Sequence, residues 1–410
     1  MDKKKVFYWS LYDFANSIVI VVFFLYFSQW LVIDKGVSDF WYNMIFVAGS
    51  ALLIFTAPVV GLRSDRRGRQ LPYLNTITIL TFFCLFGSAL VALFWSHLVF
   101  LAAVLMLLGN YFYQFSFVFY NAMLHRLASA KQQGLVSGIG QAGNWLGQIT
   151  GILVTLPLAT GAVYLFGEPG RAQTLLLPTI LFLLFALPLM YLYKETAQNI
   201  EVPKFHYWRE VKSAVSEFRL LLRRPGIGYY LLAYFLFNDA ILTALNNFPI
   251  VLEQVYQVSD KTKSILMLCI LITSVIGALA SAWLSDRIGL RRSILFILAV
   301  WTVWFVAVGF MKNFSIFAPA AVGMGLLFGW TWTVTRAMMS VLLPPDRMNY
   351  GMSFYTLAER FSTFLGPLIW GILVSSLSYL GPTRYRITMA CMAVFVLLGF
   401  FVARKIPSVE

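Results

Sequence analysis

The chain is short of charge. Asp, Glu, Lys and Arg make up 12% of its 410 residues, about half the share of a soluble globular domain, so an ordinary soluble globule does not fit. Acid is scarcer than base, 17 residues against 31. Cysteine and histidine number three each. Cys84, Cys269 and Cys391 sit in apolar stretches without paired spacing, and His97, His125 and His206 have no carboxylate or cysteine at ligand spacing. Disulfide staples and metal centres are therefore not expected, and no cofactor is called for. A GxxxxGK[ST] phosphate loop is also missing, which argues against direct driving by ATP. No constellation of residues reads as an enzyme.

What the chain has is apolar surface: 60% hydrophobic residues and a mean hydropathy of +0.77. Such a chain must satisfy its backbone inside lipid, as helices or as a closed barrel. Continuous apolar runs such as Leu175–Tyr193 and Met389–Val402 lack the period-two alternation of barrel strands, so helices are expected. Twelve spans follow, at 6–33, 38–62, 71–94, 98–124, 135–158, 174–193, 227–252, 262–285, 293–311, 315–343, 352–378 and 384–403. The basic start Met1–Lys5 precedes an apolar stretch, Val6–Ile33, too long for a signal sequence and holding Asp13 and Asn16, so a retained first helix is expected.

Loop charge alternates. Lys3–Lys5, Arg63, Arg66, Arg67 and Arg69, the segment Lys194–Arg224, Arg287, Arg291, Arg292, Arg404 and Lys405 all fall on one side. Positive charge marks the cytoplasmic side, which places both termini and the central linker there, in a cell (inner) membrane. This pattern also accounts for the net charge of +14 without a nucleic-acid partner. The expected domains are a lobe at 1–194, a linker at 195–226 and a second lobe at 227–410. In the linker, Trp208, Val211, Val215, Phe218 and Leu222 recur at helical spacing among Arg209, Lys212 and Arg219. An amphipathic helix on the inner leaflet is expected, with a docking site for a regulatory protein as the alternative.

One short cationic segment occurs twice. Gly61–Gln70 reads GLRSDRRGRQ and Trp283–Arg292 reads WLSDRIGLRR, with Asp65 and Asp286 221 residues apart, a little over half the chain. Glycine permits a tight turn, arginine holds the segment to anionic lipid, and aspartate can cap a helix N-terminus. A membrane chain that repeats itself at half length has the outline of a two-lobed transporter. Gly61, Asp65, Arg66, Gly68 and Arg69, with Asp286, Arg287, Gly289 and Arg292, resemble the signature loop of the major facilitator superfamily. The resemblance implies an all-α integral membrane fold of twelve transmembrane helices in two pseudo-symmetric six-helix lobes. It also implies a latch role for these nine residues, with Asp65 capping a helix of the opposite lobe in the outward-open state. YWSLYDFANS at 8–17, LLAYFLFNDA at 231–240, FYNAML at 119–124, and LLPPDR and FSTFLGPLIWG within 336–371 resemble the vacuolar amino-acid effluxer-like branch. Two departures stand out: Leu124 is followed by His125 rather than proline, and 98–123 lacks the arginine that many proton-driven antiporters carry.

Asp13, Asp239, Arg336, Glu359 and Arg360 fall inside spans, where each charge costs at least about 2.5 kcal/mol unless it meets a partner or water. Under the half-chain offset Asn16 falls beside Asn238 and Asp239. The family resemblance implies that spans 1, 4, 7 and 10 line the cavity, so Asn110, Tyr113, Gln114 and Asn121 join Asp13, Asn16, Asn238, Asp239, Arg336 and Glu359 as substrate or coupling candidates. The bland alternative is hydrogen bonding that merely packs helices. Arg336 and Glu359 flank the turn at 343–349 symmetrically and are expected to pair, either exchanging partners during transport or fastening two helices; Arg360 is expected to reach the interface. Gly143, Gly147 and Gly151 form a small-residue stripe on span 5; Gly277 on span 8 and Gly366, Pro367 and Gly371 on span 11 suit close crossings of 5 on 8 and 2 on 11, with a hinge at Gly366–Pro367.

The expected function is secondary transport by alternating access of a small polar solute, an amino acid or similar zwitterion by the resemblance, coupled to a proton or cation. The partners are that solute and membrane lipid, and the protein is expected to act as a monomer. A lysolipid, amphiphile or drug transporter is one alternative. A sensor or scaffold that moves nothing is another, of a different class.

Overall fold

A computed structural model describes residues 2–127, 133–165, 170–195, 207–224, 226–343, 355, 358–359 and 362–407. Thirteen α-helices are described: α1 Lys3–Val22, α2 Asp39–Arg66, α3 Leu71–Phe94, α4 Val99–Leu127, α5 Gln133–Ala159, α6 Gln173–Leu192, α7 Tyr207–Leu222, α8 Ile227–Tyr256, α9 Asp260–Ile288, α10 Leu290–Phe310, α11 Phe314–Leu342, α12 Leu365–Ser376 and α13 Thr383–Ala403. Ten of the described helices are long and apolar enough to cross a membrane. The polar-studded α5 and the twelve-residue α12 occupy the remaining two expected spans, and α7 is the linker helix.

α1 does not stop at Val22. It runs on through two π-helical turns, Phe23–Phe27 and Trp30–Asp34, which widen the helix locally. The buried Ser28 and Gln29 there bond back to the Phe24 and Leu25 carbonyls at 2.7 and 2.6 Å. Polar side chains served by their own helix can sit in an apolar interior at little cost.

The helices cluster into two compact units, one comprising 1–36 and 48–217, the other 37–47 and 218–410. In the first unit α1 lies against α5 and α6, and α3 against α4 and α6. The glycine stripe of α5 is what lets α1 approach. A β-carbon at Gly143 would come within 2.7 Å of the Ser10 carbonyl oxygen and one at Gly151 within 2.6 Å of that of Ile18, while one at Gly147 would overlap the Phe14 carbonyl. The stripe expected to serve a crossing of spans 5 and 8 is thus filled by the α1 backbone, a contact inside one unit. Small residues allow this approach of backbone to backbone.

The second unit repeats the device. Gly325 and Gly329 of α11 meet the α9 backbone at Ile270 and Ser274, and Gly277 of α9 meets the α11 backbone at Leu326. α8 and α10 both pack on α13. Gly371 of α12 lies against Phe40 in the opening turn of α2, where a β-carbon would stand 3.0 Å from the Phe40 α-carbon. That is the close crossing expected of spans 2 and 11. Span 11 itself differs from expectation. Its helical residues Tyr355, Ala358 and Glu359 are followed by a bent stretch at 362–364 and then by the helix that begins at Leu365, so Gly366–Pro367 lies in the first turn of that second segment, where proline is tolerated.

Candidate functional site

In the first unit the polar groups gather on Asp13, which is 7% exposed. Its carboxylate accepts the Tyr120 hydroxyl from α4 at 3.2 Å and the Asn144 amide from α5 at 3.1 Å. Gln148, one turn along α5, donates to the Asn144 oxygen at 2.7 Å. Tyr120 is fixed by Trp9, whose ring stacks on it at 4.4 Å and whose indole N–H donates to the Tyr120 carbonyl at 3.0 Å. Gly140 leaves the room for this stack: a β-carbon there would lie 2.5 Å from the Trp9 ring and 3.2 Å from the Tyr120 oxygen. Three helices therefore converge on one carboxylate.

Asn16 lies three residues farther along α1 and is 1% exposed, yet neither atom of its amide finds a hydrogen-bond partner among the described residues. A buried group with a donor and an acceptor both unserved is rare enough to require a reason. On α4, Asn110 is buried with its oxygen unpartnered. Tyr113 is buried against Phe117 at 5.2 Å, while Gln114 and Asn121 are half-buried.

In the second unit, Asp239 is fully buried and accepts the backbone N–H of Gly366 at 2.7 Å. Its carboxylate thus serves the first turn of α12, whose N–H groups have no helical acceptor of their own. Gly366 is confined by this contact, since a β-carbon there would overlap the Thr243 hydroxyl. Asn238 donates to Ser362, which in turn donates to the Glu359 carbonyl at 2.7 Å. Arg336 and Glu359 are both half-buried, and Tyr355, on the segment between them, bonds the Thr335 hydroxyl at 3.2 Å. Arg360 and residues 344–347 of the LLPPDR turn lie outside the described residues.

The twin cationic segments are more helical than a loop. α2 continues through Arg66 and α9 through Ile288, so Asp65 and Asp286 fall in final helical turns; the side chains of Asp65, Arg66 and Asp286 lie outside the description. Gly61 sits inside α2 near Val118. Gly68 and Gly289 turn the chain at φ +62° and +84°, conformations that suit glycine. Arg69 and Arg292 are exposed, and Arg287 covers the Trp283 ring at 4.0 Å. The N-terminus of α3 is capped from an unexpected place. Glu195, just beyond α6, accepts the Gln70 and Leu71 N–H groups at 2.7 and 3.0 Å.

Several functional candidates escaped the sequence reading. Tyr120, Asn144 and Gln148 complete the Asp13 cluster. Asp39, Tyr42, Asn43, Asn247 and Tyr385 form a second polar group around the start of α2. The available signal was an amide or acid inside or at the edge of an apolar span; which helices pair was not readable.

With this geometry in place, comparison with known proteins is decisive on family. The model of the Major Facilitator Superfamily matches residues 14–272 and 240–409. The chain belongs to that superfamily. Its facilitator fold is echoed by solved structures of a variant of the nucleoside transporter NupG (TM-score 0.74, 12% identity, 98% of this chain and 99% of that one). A bacterial homologue of the human lysosomal transporter Spinster is similarly alike (TM-score 0.73, 14% identity, 99% and 98%). Among relatives by sequence, an uncharacterized MFS-type transporter of Bacillus subtilis, YxiO, is 22% identical over 423 residues, 96% of this chain and 93% of that one. Autophagy-related protein 22 of Eremothecium gossypii is 23% identical over 313 residues, 69% of this chain and 57% of that one, which fits the effluxer-like branch. This facilitator is a multi-pass membrane transporter, not an enzyme.

Proposed function

We propose that this facilitator carries a small zwitterion of amino-acid type by alternating access, with the Asp13 cluster as the part of its path that recognises the solute. The observation that supports it is the carboxylate held by Tyr120 and Asn144 beside the unserved amide of Asn16. The carboxylate offers an acceptor to an ammonium group, and the Asn16 amide offers a donor and an acceptor to the rest of a polar solute. Asp239, Asn238, Arg336 and Glu359 are the corresponding groups of the second unit, with Arg336 suited to a carboxylate and the Arg336–Glu359 pair to exchange with a proton or cation. Residues 1–194 and 227–410 act as the two lobes and the twin cationic segments as their latch. The protein works as a monomer in the inner membrane, both termini cytoplasmic.

Proteoliposome flux of a panel of amino acids, with and without a pH gradient, tests this. Flux of at least one zwitterion, reduced tenfold or more by Asp13→Asn, is expected; unchanged flux in Asp13→Asn and Asp239→Asn removes the coupling role. A second reading, an amphiphile as solute, is favoured by one cavity in the second unit. Its wall carries Phe248, Met267, Trp301, Trp304, Met324 and Phe328, no charged group, and an indole N–H on Trp304 without a partner. Competition of the flux by a lysolipid but not by zwitterions would select that reading.

A further inference from the structure

The first turns of α2 carry a second polar assembly that the transport site does not use. Asn43 and Asn247 face each other as a reciprocal amide pair: Asn43 Nδ2 donates to Asn247 Oδ1 at 3.0 Å, and Asn247 Nδ2 donates to Asn43 Oδ1 at 2.9 Å. Both residues are fully buried. Each amide spends its other N–H on its own helix, on the Asp39 carbonyl for Asn43 and on the Thr243 carbonyl for Asn247, at 2.9 Å in both cases. One residue away, the Tyr42 hydroxyl donates to the Asn246 carbonyl at 2.9 Å. At the first residue of α2, Asp39 accepts the Tyr385 hydroxyl at 2.9 Å, with the Arg384 guanidinium 3.9 Å away. Positions 39, 42 and 43 share one helical face. That face is thus tied to α8 and α13 by directional polar contacts within the first five residues of α2.

We propose that this Asn43–Asn247 pair, with its Tyr42 and Asp39 neighbours, is a releasable clasp that holds the first turns of α2 in one of the positions it occupies during the transport cycle. Permanent packing between membrane helices needs no such pair. Close apolar contact serves as well, and a buried polar pair contributes little net stability over it. A polar pair differs in what happens when it parts. Each amide retains its bond to its own helix and exchanges only the bond across the pair for water, so the open and closed forms differ by little. The clasp also sits at the aqueous end of α2, next to the turn at 35–38, where water can reach the parted groups. The inference rests on the chain being a transporter, not on which solute it carries.

The test uses no solute, so its failure is distinct from failure of the zwitterion reading. In a background with Cys84, Cys269 and Cys391 replaced by alanine, Asn246→Cys reports the clasp through its rate of reaction with a charged methanethiosulfonate in right-side-out vesicles. Asn246 is 3% exposed, so slow reaction is expected, rising about tenfold when Asn43→Leu parts the pair and two- to threefold with Tyr42→Phe, which removes a single hydroxyl. Equal rates in all three proteins overturn the proposal. Hydrogen exchange on the unaltered protein gives the result without depending on any variant's folding. Residues 39–47 should open at a rate shared with 243–247 and faster than 48–61. Uniform exchange along 39–61 overturns the clasp.

Discussion

Gly147 shows how much one absent methyl group decides. A β-carbon there would overlap the Phe14 carbonyl, and α1 backbone cannot give way as a flexible side chain would. Gly147→Ala is therefore expected to force α1 and α5 apart and to destabilise by about 1–3 kcal/mol. Gly138, on the same helix with nothing within 4 Å of its missing β-carbon, is the control. Gly138→Ala should leave stability unchanged or raise it by up to about 1 kcal/mol through helix propensity. Melting of the two variants in detergent checks both signs, and equal melting would mean the stripe is not a packing seam. Asp13 belongs to this scale too. Its presence in an apolar span marked it in the sequence. Its partners could not be marked, because Tyr120, Asn144 and Gln148 are polar residues of common kinds until α4 and α5 are known to meet α1.

At the scale of helices, most boundaries were legible because the bilayer imposes them: an apolar run of some twenty residues has little other use. The breaks inside runs were not. The π-turns at 23–34 leave no mark in hydropathy. The bend at 362–364 ahead of α12 is hinted at only by Gly366–Pro367, a pair equally readable as a kink. Capping was not legible for a related reason. The acid seen at the α3 N-terminus is Glu195, 125 residues away from Gln70. Contacts of that separation depend on how α6 returns beside α3, which spacing alone does not give. The contact makes a definite prediction. Glu195→Ala leaves two orphan N–H groups at the start of α3 and removes a negative charge from the positive end of its dipole, a loss of about 1 kcal/mol. Hydrogen exchange at residues 70–74 should quicken about fivefold, with Glu195→Gln between the two because one carbonyl acceptor remains. Exchange that does not change in either variant would mean water caps this helix equally well.

On the scale of the whole molecule, the charge that is scarce in the chain is concentrated in the segments between and beyond the apolar spans. α7 shows this most clearly. Trp208, Val215 and Leu222 lie close together on one side of this helix and are 78%, 44% and 38% exposed, so described protein does not cover that side. Lys212, Arg219 and Arg223 border it and are exposed as well. An uncovered apolar stripe edged by cations matches a lipid surface carrying anionic headgroups, with the stripe in the acyl boundary and the cations at the phosphates. A docked soluble protein would bury the same stripe but would have no dependence on lipid charge. The two can be told apart in the full chain. A fluorophore on Val215→Cys, in the cysteine-free background, should be quenched by doxyl lipid in phosphatidylglycerol-rich liposomes. The quenching should fall at least twofold in pure phosphatidylcholine, and likewise when Lys212, Arg219 and Arg223 are changed to Gln. Quenching that ignores both headgroup charge and these substitutions would take α7 off the membrane surface and leave its apolar side to a protein partner.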